Sequence, residues 1–185
     1  MANPAASAIA TLISAEAIAG RVTALAQDIA GRIGPDMMIV ALLRGSFVFT
    51  ADLIRALHIY EQQNALALRP QIDFMTLTSY GTGMASGGSV SIVRDIAESV
   101  AGRNVLIVDD ILESGRTLTF ARDLIASRGA RSINIAVLLE KPGKRVTPID
   151  ADFVGFTIPD KFVVGYGLDY ANYYRELPYI GVVES

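Results

Sequence analysis

Three apolar runs decide most of what this chain can become: "MMIVALL" (Met37 to Leu43), "VLIV" (Val105 to Val108) and "SINIAVLL" (Ser132 to Leu139). A strand with one wet face alternates apolar and polar residues. A strand covered on both faces loses that alternation. The runs therefore predict strands buried on both sides, as in a parallel sheet with helices packed on each face. Helical patterns fall between them. Ile18, Val22, Leu25 and Ile29 mark one face of a helix over 15–32, with Ser14 as its N-cap. Leu53 and Leu57 mark another over 47–57. Leu118, Ala121 and Ile125 mark a third from about Arg116 to Arg128, ended by Gly129. Segments 71–78, 89–95, 151–156 and 162–167 complete the strand candidates. The expected class is α/β with a mainly parallel central sheet flanked by helices. No repeat or linker divides the 185 residues, so one domain over 1–185 is expected.

Composition narrows the chemistry. The chain has no cysteine, which excludes disulfides, thiolate metal sites and a cysteine nucleophile. Its one histidine, His58, has no His or Cys partner for zinc and reads as a partly exposed residue near a helix end. A net charge of -3 gives no footprint for nucleic acid or an anionic membrane. No window offers the ~18 uninterrupted apolar residues of a membrane span, and the Ala-rich start lacks a positive leader region. A soluble, cytoplasmic protein is expected.

The second apolar run ends abruptly in charge: "VLIVDDILESGRTL", Val105 to Leu118. Placed at the end of a central strand, Asp109 and Asp110 reach the sheet edge where ligands of α/β folds bind. Two adjacent carboxylates repel one another unless they meet sugar hydroxyls, a hydrated Mg²⁺ or an arginine. The following "ESGRT" supplies a glycine turn, small hydroxyls and a helix N-terminus with about half a positive charge. Such a turn cradles phosphate. Acids for ribose beside amides for phosphate describe a ribose-phosphate site. The run is neither a Walker loop nor a dinucleotide-binding glycine motif.

This stretch closely resembles the 5-phosphoribosyl-1-pyrophosphate (PRPP) motif of type I phosphoribosyltransferases, and other segments resemble the hypoxanthine-guanine branch of that family. "LLRGSFVF" (Leu42 to Phe49) is similar to its pyrophosphate loop and "LTSYGTG" to its mobile loop. "LLEKP" (Leu138 to Pro142) is similar to its lysine segment. "IPDKFVVGYGLDY" (Ile158 to Tyr170) resembles its purine segment, and "YYRELPYIG" its C-terminal end. The resemblance covers nearly the whole chain from about Leu12. It implies the type I phosphoribosyltransferase fold, with a small hood built from N- and C-terminal segments. It also implies a purine-salvage enzyme that transfers phosphoribosyl from PRPP to N9 of a 6-oxopurine, releasing pyrophosphate, with Mg²⁺. Family members form homodimers or homotetramers.

The resemblance also assigns residues. Asp109 and Asp110 would hold the ribose hydroxyls, directly or through Mg²⁺. Glu113, Ser114, Gly115, Arg116 and Thr117 would wrap the 5′-phosphate. Arg44 and Gly45, next to a cis Leu43–Arg44 peptide, would meet pyrophosphate with Arg175. Lys141 would donate to purine O6, Phe162 would stack on the ring, and Val163 would read the base edge through its backbone. Asp169 would be a second Mg²⁺ ligand. Ser79 and Tyr80 would begin a lid running to Gly88. One position departs from the pattern: the family usually has Asp, the proposed general base at purine N7, where this chain has Glu113. The general-base role is carried to Glu113 with one extra methylene. Two other readings stay open on sequence alone: an RNA-binding regulator on the same fold, and a sibling enzyme using xanthine, adenine or a pyrimidine.

Overall fold

The computed structural model describes residues 9–80 and 89–183, without the side chains at 79, 80 and 89. Nine strands and three α-helices run in the order β1 (Ile9–Ile13), α1 (Ala15–Ile33), β2 (Met37–Leu43), α2 (Phe47–Asn64), β3 (Gln71–Tyr80), β4 (Ser89–Arg94), β5 (Asn104–Leu112), α3 (Arg116–Ser127), β6 (Ser132–Glu140), β7 (Phe153–Thr157), β8 (Val163–Val164) and β9 (Ile180–Val183), with a 3-10 turn at Pro142–Lys144.

Six strands form the main sheet in the order β4-β3-β2-β5-β6-β7. All neighbours are parallel except the edge pair β3 and β4. The apolar runs feed two cores at once. Met37 and Ile39 of β2, with Leu106 and Val108 of β5, join the core under α1 and α2. Met38, Val40 and Leu42, with Val105 and Ile107, join the core under α3. Alternation by two thus sends apolar side chains to both faces, which is why the runs are almost continuously apolar.

The helices follow local rules. Ser14 caps α1 by accepting from the Ala17 N–H at 3.3 Å, and the stripe Ile18, Val22, Leu25, Ile29 is buried. Helix α2 extends to Asn64, seven residues past the last buried apolar position, and ends on Ala65 in the left-handed region. His58 is therefore inside the helix rather than near its end. It is exposed and sits 3.3 Å from Glu61.

Two expectations change. Segment 162–167 does not extend the main sheet: only Val163 and Val164 are strand, and they pair antiparallel with β9. Together β1, β9 and β8 make a separate three-stranded sheet from the two ends of the chain. This is the expected hood. β1 and β9 were not foreseen, because five- and four-residue strands carry little periodicity. Glycines 165 and 167, with φ of 95° and 101°, end β8 in a turn.

Chain order reverses between β2 and β5. From β2 the chain moves through α2 to β3 on one side, and from β5 through α3 to β6 and β7 on the other. Pairing of β2 with β5 stops at Ala41 and Val108, while β5 stays paired with β6 as far as Leu112. A wedge opens there, at the carboxyl ends of the two central strands. Ligands of open α/β sheets bind at such a switch point.

Candidate functional site

The wedge is a cleft of about 270 Å³. Leu42 to Gly45 line one wall, and Asp109 to Gly115 with Thr117 line the other. A second recess adjoins it, sharing Arg44, Gly45 and Asp110 and adding Thr76, Thr78, Asp169 and Arg175.

The acid pair stands where β5 has lost β2. Asp109 is 8% exposed, and its Oδ1 accepts from the Asp110 N–H at 2.9 Å. Burial pushes both carboxyls above the ordinary carboxylate value, and the neighbouring Asp110 charge raises Asp109 further. For Asp110, its hydrogen bonds and Arg175 pull the other way without reversing the rise. Such a pair waits for hydroxyl donors or a cation.

Beyond the pair, the chain turns sharply. Gly115 has φ of 83°, and a Cβ there would strike the Thr147 carbonyl at 2.5 Å and Ile149 at 2.8 Å. Only glycine fits. The Ser114 carbonyl accepts from the Val146 and Thr147 N–H groups at 2.9 and 3.1 Å, and the Ser114 Oγ accepts from the Arg116 N–H at 3.4 Å. Helix α3 begins at Arg116, so the positive end of its dipole lies at the cleft wall carrying Ser114, Gly115 and Thr117. That arrangement suits an anion.

A second helix N-terminus lies opposite. The peptide Leu43–Arg44 is cis, as the resemblance implied. Ser46, fully buried, donates to the Leu42 carbonyl at 2.5 Å, and α2 starts at Phe47. Arg44 is exposed and has no ion-pair partner among the described residues. Gly45 lies against the Asp110 carboxylate, and Gly167 lies against the Gly45 carbonyl. The turn after β8 is thus packed on the loop after β2. From it come Asp169 and Arg175, paired at 2.7 Å, with Arg175 also donating to the Gly167 carbonyl at 2.6 Å. The other Asp169 oxygen accepts from the Asn172 N–H at 2.7 Å. Tyr166 donates to Asp52 of α2 at 2.7 Å, tying the same turn to the helix.

Lys141, 6% exposed, directly follows β6, and its Nζ lies 3.5 Å from Glu113 Oε2. Phe162 is 54% exposed and meets Tyr170 edge-on at 5.4 Å between centroids. Val163 is buried in the hood, paired with Val182. A Lys144–Asp160 ion pair at 2.8 Å and the Ile158 N–H bond to the Glu140 carbonyl hold the 158–162 segment beside the end of β6.

The structure therefore gathers Arg44, Gly45, Asp109, Asp110, Glu113, Ser114, Gly115 and Thr117 around one cleft, with Asp169 and Arg175 in its side recess. Arg116, Lys141, Phe162 and Val163 do not line either. Lys141 joins the site through Glu113. Ser79 and Tyr80 belong to β3 by backbone, but their side chains and the expected lid at 81–88 lie outside the described residues. Sequence reasoning missed Arg145. Its guanidinium donates to the carbonyls of Leu112, Glu113, Lys141 and Ile149 and to the Glu140 carboxylate. Its only signal was a third cation in the short turn after Lys141.

No cluster of three or more acidic or histidine ligands exists among the described residues. A buried and a half-buried acid, adjacent and opening on a phosphate-type turn, suit Mg²⁺, which keeps water and phosphate oxygens and needs few protein ligands. Among the described residues, no helix is long and apolar enough to cross a membrane.

Comparison with known proteins agrees with this geometry. The family model for the phosphoribosyl transferase domain matches residues 10–171. The hypoxanthine phosphoribosyltransferase of Escherichia coli K12 is 43% identical over 178 residues, 95% of each chain. That of Buchnera aphidicola (subsp. Schizaphis graminum) is 50% identical over 147 residues, 80% of this chain and 78% of its own. Among solved structures, a hypoxanthine-guanine phosphoribosyltransferase from Bacillus anthracis superposes with a TM-score of 0.85 at 39% identity, covering 94% of this chain and 98% of that one.

Proposed function

The chain belongs to the phosphoribosyltransferase family, and from that premise we propose that it is a purine-salvage enzyme. It transfers the 5-phosphoribosyl group of PRPP to N9 of a 6-oxopurine, hypoxanthine and/or guanine, giving IMP or GMP and pyrophosphate. The observation that carries the reading is the single cleft in which an Asp pair, Asp109 buried and Asp110 half-buried, a glycine turn at a helix N-terminus and an arginine loop face one another. The chain acts as one phosphoribosyltransferase domain over 1–185, in the cytoplasm, as a homodimer or homotetramer.

Each part has a task set by charge. The transferred ribosyl carbon becomes cation-like as its bond to pyrophosphate breaks and its bond to purine N9 forms. Ser114, Gly115 and Thr117 hold the 5′-phosphate through amides and hydroxyls, with Arg116 adding charge at the start of α3. Asp109 and Asp110 take the ribose hydroxyls. Their uncompensated charge also favours positive character at the sugar. Arg44, the Gly45 amide and Arg175 receive the leaving pyrophosphate. Asp169, once it shares or releases Arg175, has an oxygen to offer a cation near that group. Mg²⁺ bound with PRPP supplies neutralisation of the diphosphate, and Asp109, Asp110 and Asp169 are the residues that would hold it.

On the base side, the buried ammonium of Lys141 donates to O6. A 6-amino group, already a donor, gives that ammonium no acceptor on the base, which disfavours adenine. Phe162 stacks on the ring, Val163 offers backbone to the base edge, and Ser79 and Tyr80 start a lid that excludes water. Glu113, beside Lys141, takes the purine proton at N7.

The test is a PRPP- and Mg²⁺-dependent assay with hypoxanthine, guanine, xanthine and adenine in parallel. Turnover of hypoxanthine or guanine, with little of adenine, is expected. No turnover of any 6-oxopurine would overturn the reading. Binding of labelled RNA at physiological salt without purine turnover would replace it with the regulator.

A further inference from the structure

Arg145 has the densest set of hydrogen bonds around the site, and every acceptor belongs to a residue at the cleft's base or next to it. It donates through Nη1 to the Leu112 and Glu113 carbonyls at 2.9 and 2.8 Å and, more weakly, to the Lys141 carbonyl at 3.4 Å. Nε reaches the Ile149 carbonyl at 3.3 Å, and Nη2 meets Glu140 Oε1 at 2.5 Å. Its side chain is 19% exposed and that of Glu140 22%.

The ends of β5 and β6 explain the need. Ladder pairing of the two strands finishes at Leu112 and Glu140. The Lys141 N–H still donates to the Leu112 carbonyl at 3.0 Å; past that bond the chain turns one way into the phosphate turn and the other way into the Lys141 turn, and the Glu113 carbonyl has no strand to accept from. A partly buried carbonyl without a donor is costly. A planar guanidinium presents five N–H groups in a fixed fork, enough to serve several carbonyls at once, which an ammonium cannot match.

We infer that Arg145 is a positioning residue that locks the phosphate turn and the purine-side lysine in one fixed relation. It touches neither substrate. Through the Glu113 carbonyl it fixes where the phosphate turn begins, and through the Lys141 carbonyl and Glu140 it fixes where β6 delivers the lysine. The loop it sits in closes the turn from behind, where Val146 and Thr147 donate to Ser114 and the Thr147 carbonyl abuts Gly115. The two halves of the reaction must hold PRPP and base at bonding distance, so a loose joint between them costs rate as well as affinity.

The inference rests on the proposed salvage activity, and the experiment separates the two. Arg145→Lys and Arg145→Ala are compared with the wild-type enzyme in KM for PRPP, KM for hypoxanthine, kcat and Tm. PRPP·Mg²⁺ binding in the absence of base is measured by calorimetry. For Arg145→Ala a loss in kcat/KM of about a hundredfold is expected, spread over both substrates and kcat, with Arg145→Lys intermediate. Added guanidinium at millimolar concentration restores part of the activity of Arg145→Ala, and methylammonium restores less. If Arg145→Ala does not fold, Glu140→Gln replaces it and is expected to raise both KM values in the same direction. A variant that loses Tm but keeps kcat, both KM values and PRPP affinity would make Arg145 structural only and overturn the inference. If the wild-type protein turns over no purine, the salvage reading fails, while PRPP affinity still reports whether Arg145 holds the phosphate turn.

Discussion

The Asp110 carboxylate rests against the Cα of Gly45, so closely that any side chain at 45 would occupy the same space. The contact joins the ends of the two central strands across the wedge. Gly45→Ala must displace either Asp110 or the Arg44 loop. We expect kcat/KM for PRPP to fall by about a hundredfold or more, with a stability loss of about 1–3 kcal/mol. Steady-state kinetics and denaturant unfolding check this. Near wild-type kcat/KM would show that the cleft accommodates the methyl group and that the contact is incidental.

Asp110 is also expected to destabilise the unliganded fold. Its pKa in the native state lies above the ordinary value of 3.8, mainly through burial. A raised native pKa means full stability below the unfolded value and loss as pH rises through the native value. At neutral pH the ionised pair therefore weakens the protein. Asp110→Asn should raise Tm by roughly a few degrees near pH 7 while lowering PRPP·Mg²⁺ affinity about tenfold or more. The Tm difference should shrink as pH falls toward the ordinary carboxylate value. An Asn variant less stable than wild type at neutral pH would contradict this account.

Glu113 and Lys141 can be separated by substitution. Lys141→Gln removes the ammonium, and the loss should appear chiefly in KM for hypoxanthine, with weakened discrimination against adenine. Glu113→Gln removes the proton acceptor but keeps the shape, and kcat should fall about ten- to a hundredfold, with Glu113→Asp retaining more activity. Full activity of Glu113→Gln across the pH range would mean that the carboxylate serves Lys141 and not the purine proton.

Away from the cleft, Asp73 fastens the β4–β5 connection. It is 9% exposed and accepts from the N–H groups of Phe74 and Ala97 at 2.7 Å and of Glu98 at 3.0 Å. Burial pushes its pKa up, but these donors and Arg94 outweigh that and hold it below 3.8. Its stabilisation is present above the unfolded value and is lost as pH falls through the native one. Asp73→Ala should cost about 2–3 kcal/mol at neutral pH, narrowing in acid, with kcat within about twofold of wild type. Chemical denaturation at pH 7 and pH 3 gives both numbers. An equal deficit at both would assign the loss to packing.

The main sheet was readable because the middles of β2, β5 and β6 are buried on both faces and so carry near-continuous apolar runs. Burial is also what α2 lacks beyond Leu57, and its last turns could not be seen in a pattern that marks only buried positions. The cleft wall that follows β5 was legible for a similar local reason. Asp109 to Thr117 are contiguous, and all but Arg116 line the same cleft. The proposed base side draws on Lys141, Phe162 and Val163, which are apart in the sequence and line neither the cleft nor its side recess. Phe162 looked like the start of a strand, yet it stands exposed at the edge of a two-residue one. Arg145 shows the limit most clearly. A cation in a turn is ordinarily solvated, and nothing in "EKPGKRVT" says that five oxygens converge on this one.

The packing of Gly167 on Gly45 has a consequence for synthesis. Residues 42–45 leave the ribosome early, the acids at 109 and 110 later, and the turn that closes the side recess last of all. Domains emerging from the ribosome fold as units once enough chain is available. A nascent chain halted before residue 167 would carry both acids and the glycine turn, but the loop at Gly45 would still lack the surface it packs on. Capacity to bind would then arrive late and all at once, leaving little opportunity for a half-made protein to sequester a phosphorylated sugar.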